Sequence, residues 1–166
     1  MANSNWSGPL VSEAGLIADK ENTANLSLPL AGKGTGVVAI TNSLVYYDTD
    51  VTVVTTAGDV TYTAAQIKGG IILRDPNGAG RNDLFPTAAN LIAALPSAFV
   101  GMTFQVLIRN TADAAETITM TTNTGLTLSG TMTIAQNNQK SFLVRLTNVT
   151  SGAEAATIYS LGTVVF

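Results

Sequence analysis

The chain has 166 residues, 46% hydrophobic and 11% charged, with 8 Lys plus Arg set against 11 Asp plus Glu for a net charge of −3. That content excludes a disordered chain and suits one ordinary domain with an arm, while a charged fraction far below the roughly 25% of soluble domains points to surface hidden in an oligomer. The absence of His and Cys excludes thiolate or imidazole metal sites, Cys nucleophiles, disulfides and a near-neutral proton shuttle, and the lack of a Lys/Arg cluster argues against nucleic acid as a partner.

In chain order, residues 1–34 come first and read as an extended arm, because periodicity is weak and turn formers recur at Ser7-Gly8-Pro9, Gly15, Pro29, Gly32 and Gly34. Its apolar residues Trp6, Leu10, Val11, Leu16 and Ile17 are anchors that need a surface to dock on. This opening stretch has no basic n-region and no long apolar h-region, and no run of about 20 apolar residues spans a bilayer, so synthesis in a cytoplasm without a membrane anchor is expected.

Residues 35–166 read as a β body. The runs "TGVVAIT", "SLVYYDTDVTVVTT", "DVTYTAAQI" and "GGIILRD" follow one another with short breaks, and "MTFQVLIRN", "ETITMTT", "GLTLSG", "TMTIAQ", "KSFLVRLTNV" and "ATIYSLGTVVF" come later. All are rich in Val, Ile, Thr, Tyr and Phe and bounded by turn residues. Period-2 alternation in "TFQVLIRN" and "ETITMTT" puts one set of side chains inward. Between the two groups, "TAANLIAALP" predicts a single short helix, with Thr87 as its N-cap, Leu91, Ile92 and Leu95 as its apolar stripe, and Pro96 as its stop. One helix among many short strands predicts an all-β fold, an antiparallel β-sandwich or jelly-roll-like domain with one short helix and an extended N-terminal arm. The final "YSLGTVVF" ends on Val164, Val165 and Phe166, which predicts a last strand, paired within the chain or between subunits.

The stretch "GGIILRDPNGAGRNDLFPTAANLIAAL" has the order of a phosphate site, strand then Gly-rich loop then helix. It lacks both the Walker A and the G-x-G-x-x-G spacing, and Asp75-Pro76-Asn77-Gly78 reads as a turn in an irregular surface loop. Arg74, Asp75, Arg81 and Asp83 are read as surface charges that pair with one another or with a neighbouring subunit. "YYDTD" and Asp59 offer carboxylates without the remaining ligands of an EF-hand loop. A Ser nucleophile has no His to activate it, and no Ser-x-x-Lys occurs. No catalytic, cofactor or metal residue is assigned.

Three long stretches, "NSNWSGPLVSEAGLI", "GGIILRDPNGAGRNDLFPTAANLIAALPSAFVGMTFQVLIRNTADAAETITM" and "GLTLSGTMTIAQNNQKSFLVRLTNVTSGAEAATIYSLG", together resemble capsid decoration, or cement, proteins of tailed bacteriophages, including phages of cyanobacteria. The resemblance implies a virion protein on the outer surface of an icosahedral capsid, often a homotrimer, that clamps adjacent capsomers and has the major capsid protein and itself as partners. Under that reading Trp6, Leu10, Leu16, Ile17, Arg74, Arg81 and Phe166 are the candidate capsid or subunit contacts. The alternatives are a head-fibre or tail-fibre domain that binds a host surface, and a carbohydrate-active jelly-roll enzyme.

Overall fold

A computed structural model describes residues 50–95 and 98–166. The expected arm at 1–34, its boundary with the body, and the run "TGVVAIT" lie outside the described residues.

The described residues are mostly β, with two short helices and two mixed sheets. Strands β1 (Asp50–Val54), β2 (Gly70–Arg74), β4 (Thr103–Asn110), β8 (Asn138–Asn148), β9 (Ala155–Val165) and β6 (Leu126–Ser129) form a six-stranded sheet in that spatial order. Strands β3 (Arg81–Leu84), β5 (Ile118–Thr121) and β7 (Thr133–Ile134) form a three-stranded sheet.

The expectation of an antiparallel fold is corrected here. β1 with β2, β2 with β4, β6 with β9 and β3 with β5 are parallel pairs, whereas β4–β8, β8–β9 and β5–β7 are antiparallel. The reason lies in the connections. Helix α1 (Ala64–Gly69) sits between β1 and β2, and helix α2 (Ala88–Ala93) lies in the connection from β2 to β4. Such crossovers return the chain to the same end of the sheet, which makes the next strand parallel.

α1 is also a correction, because "DVTYTAAQI" reads as a strand in the sequence. The alternation stops at Thr63, where a capping box takes over: the Thr63 hydroxyl accepts from the Gln66 amide at 3.2 Å and the Gln66 side chain accepts from the Thr63 amide at 2.8 Å. Gly70 then closes the helix with φ of 90°, a left-handed C-cap that glycine adopts without steric cost. α2 starts as expected, with the Thr87 hydroxyl accepting from the Asn90 amide at 3.2 Å.

Alternation decides which way the six-stranded sheet faces. Ile72, Val106, Ile108, Phe142, Val144, Leu146, Ala156 and Ile158 are buried and point to one side. There they meet Tyr62, Ile67 of α1, Phe85, Leu91 of α2, and Ile118, Met120 and Ile134 of the smaller sheet in a common core. Phe85 and Phe142 cross it edge to face, with ring centres 5.5 Å apart. β9 carries a bulge, since Ser160 pairs with Phe142 but Thr163 with Lys140. Gly162, at φ of 130°, takes up the extra residue.

Candidate functional site

The loop that raises the question of phosphate binding is occupied by the protein's own groups. Arg74 is the last residue of β2, on the core-facing side, and its five N–H donors all find acceptors. Nε donates to Asp83 Oδ2 at 2.8 Å and one terminal nitrogen to Asp83 Oδ1 at 3.3 Å. The remaining donors reach the carbonyls of Thr56 at 2.8 Å, Asp75 at 2.7 Å and Gly58 at 2.6 Å. Asp83 is completed by the Tyr62 hydroxyl at 2.9 Å and the Val60 amide at 3.1 Å. Both ion-pair side chains are fully buried. The expectation of surface charges is therefore corrected for this pair, because β2 and β3 turn Arg74 and Asp83 toward each other beneath the 55–63 segment. Burial first, then the neighbouring Asp83 carboxylate, pushes the Tyr62 phenol above its ordinary pKa.

The rest of the loop follows the same pattern. Asn77, at φ of 55°, forms a turn whose amide donates to Asp75 Oδ1 at 2.9 Å. The Gly78 amide, which an anion would need, donates to Glu116 Oε1 at 2.7 Å. Arg81 is half-buried and braces the loop from within, reaching the carbonyls of Pro76 at 3.0 Å and Asn77 at 3.2 Å. Asn110, buried beside Arg74 in the sheet register, donates to the carbonyls of Glu116 at 2.8 Å and Ile134 at 2.9 Å, which ties β4 to the smaller sheet.

Of the carboxylates considered for a cation, Asp59 accepts from the Asn82 amide at 2.9 Å and Asp50 is exposed at the start of β1. Asp48 lies outside the described residues. No three acidic side chains converge among the described residues. A cleft of about 560 Å3 opens between the helix N-termini, lined by Tyr62, Thr63, Thr87, Asn90 and Asn123 among others. The Thr63 and Thr87 hydroxyls are occupied as caps and the Tyr62 hydroxyl by Asp83, and the Asn90 and Asn123 amides bring neither acid nor base. Lys140 is buried with Nζ donating to the Thr131 carbonyl at 2.7 Å, and burial lowers its pKa.

The other side of the six-stranded sheet is different in kind. Val53, Leu73, Arg109, Gln139 and Val164 form one cross-strand row, and Val51, Ile71, Leu107 and Ser141 the next. Gln105, Leu143, Tyr159 and Ser129 form a third row that reaches β6, and Thr103, Arg145, Thr157 and Thr127 a fourth. Val51, Val53, Leu161, Val164 and Phe166 are 45–65% exposed. Every described helix and the smaller sheet pack on the opposite, inner side. Among the described residues no element covers this side, and its apolar side chains are concentrated in the first two rows.

Of the residues picked out from the sequence, Trp6, Leu10, Leu16 and Ile17 lie outside the described residues. Arg74 is withdrawn from contact with any partner by its burial, Arg81 serves its own loop, and Phe166 lies on the open face. There the Arg109 guanidinium stacks 3.3 Å from the Phe166 ring centre. The sequence reading passed over Tyr62, Arg109, Asn110 and Glu116. For Arg109 a signal existed: in "TFQVLIRN" the alternation assigns it to the same face as Gln105 and Leu107.

Comparison with known protein families, curated proteins and solved structures finds no match for this chain.

Proposed function

We propose that this protein is a non-enzymatic structural component of a phage virion, a decoration or cement protein that binds the outer surface of an icosahedral head and reinforces contacts between capsomers. The observation that carries the reading is the division of labour between the two sides of the six-stranded sheet. On the inner side the loop charges hold the fold together, and on the outer side an apolar face is left for adhesion. The sequence resemblance to decoration proteins points the same way. In this reading the two sheets of the body pack as a two-layer sandwich, the protein assembles as a homotrimer, and the arm with Trp6, Leu10, Leu16 and Ile17 reaches across the shell or to a neighbouring subunit. Many weak contacts repeated by capsid symmetry then add through effective concentration.

Co-sedimentation of the full chain with expanded capsids that lack it tests the reading. Saturation at a stoichiometry set by symmetry-related sites is expected. A folded chain that ignores capsids sinks the cement reading, and retention on a glycan array or turnover of a polysaccharide panel would then favour the fibre or the enzyme.

A further inference from the structure

The outer face of the six-stranded sheet has a charge pattern as well as an apolar one. Its four cross-strand rows contain Arg109 in the first and Arg145 in the last, where Thr103 faces Arg145, Arg145 faces Thr157 and Thr157 pairs through β9 with Thr127 of β6. No carboxylate stands in any of these rows. Yet the chain as a whole carries more acids than bases, so the face is a cationic exception on an anionic protein.

Arg109 is the centre of this exception. It stands between Leu73 and Gln139 in its row, its guanidinium lies on the Phe166 ring, and its Nε is buried without a hydrogen-bond partner among the described residues. The side chain is half-buried, one face of the guanidinium lies on an aromatic ring, and its Nε has no acceptor among the described residues, whereas a planar fork of this kind is built to take a carboxylate. Arg and aromatic side chains are enriched among the residues that carry most of the affinity at protein interfaces.

From this we infer that the outer face of the six-stranded sheet is the docking surface, and that its occupant is an apolar protein surface bearing carboxylates, at least one of which pairs with Arg109. The charge pattern selects against the face meeting its own copy about a twofold axis, since that pairing brings cation toward cation and supplies no carboxylate. Identifying the carboxylate-bearing surface with the capsid shell rests on the cement reading.

Sign-specific variants test the inference, with full-length protein and expanded capsids as the probe. Val53 is 65% exposed, so Val53→Glu and Val53→Lys change the face and leave the core alone. Arg109→Glu removes the central cation, and Ala93→Glu on the exposed side of α2 is the control from the opposite side. Unchanged circular dichroism and thermal midpoint establish that each variant folds. The expected result is a loss of about 10-fold or more for Arg109→Glu and Val53→Glu, a smaller loss for Val53→Lys, and wild-type binding for Ala93→Glu. Binding that weakens with salt in the wild type and loses that dependence in Arg109→Glu is expected as well.

If wild type saturates the capsids and every face variant binds equally well, the cement reading stands and this inference falls. Equal losses for Val53→Glu and Val53→Lys would overturn the acidic character of the partner. A wild-type chain that associates with itself in solution, and is made monomeric by Val53→Glu, would assign the face to a second copy. Failure of the wild type itself to bind removes the reading and the inference together.

Discussion

Arg74 and Asp83 show how much one buried pair decides. Burying both charges is tolerable because every donor of the guanidinium is satisfied and the carboxylate accepts from Tyr62 and Val60 as well. Removing one partner leaves the other charge stranded. Asp83→Ala is therefore expected to cost about 3–5 kcal/mol in chemical denaturation, and a loss under 1 kcal/mol would show that water reaches the site. Tyr62 adds a pH signature. Its folded pKa is raised, so above about pH 10 the unfolded chain gives up the phenol proton while the folded chain keeps it. The Tyr62 contribution is thus fully present below that pH and is lost as pH climbs above it. Tyr62→Phe should unfold more easily near neutral pH, yet show a shallower alkaline decline than wild type, as read from denaturant midpoints at successive pH values.

The elements hold their places through capping and close approach. Thr63 and Gln66 start α1 with a reciprocal pair of bonds, and Thr63→Ala is expected to cost about 1 kcal/mol. Gly125 is a harsher constraint. It has φ of 78°, and a Cβ added there would lie 2.5 Å from the Glu154 carbonyl oxygen and 2.7 Å from Ala88 Cβ, at the point where the β5–β6 turn packs against α2. Backbone and helix must shift together to admit it, so Gly125→Ala should lower stability by roughly 2–4 kcal/mol. A thermal midpoint within a degree or two of wild type would mean the turn relaxes freely. These two sites differ in how readable they were. The Thr-x-x-Gln spacing of the capping box stands in the sequence at Thr63 and Gln66, but the alternating "DVTYT" before it masks the signal. Gly125 reads only as a turn glycine, because its neighbours Ala88 and Glu154 are distant in sequence and are brought together by tertiary packing alone.

At the scale of the whole described body, one core joins both of its sheets and both of its helices on the inner side of the larger sheet. Within that sheet β4 lies between β2 and β8, and β8 between β4 and β9, whereas β1 and β6 stand at the two ends. Hydrogen exchange should therefore be slowest in β4 and β8, through global unfolding, and faster in β1 and β6. Fast exchange throughout β8 would contradict this topology. The outer face adds a behaviour that belongs to no one element. Among the described residues, that side of the sheet carries Val51, Val53, Leu161 and Val164 with about half or more of their surface exposed, apolar area that water hydrates poorly.

The sequence by itself marked most of the strands, and on most of these which residues turn inward, because period-2 alternation is a local property of the extended chain. It missed β3 at Arg81–Leu84 and read the segment of α1 as a strand. It also marked the start of α2 at Thr87, since a cap bonds only three residues ahead. Pairing partners and directions were decided by tertiary structure. Alternation records that Leu107 and Arg109 share a face, but not that β2 lies beside them in parallel, so the antiparallel expectation had no local signal to correct it. The same holds for the charges of the glycine-rich loop. Arg74 and Asp83 look like surface residues until β2 and β3 set them opposite one another in a dry interior, where the ion pair, and not an anion, takes the donors. The open face arises in the same way: its apolar rows come from five strands scattered between Asp50 and Val165, and only their alignment in one sheet turns scattered hydrophobic residues into a surface.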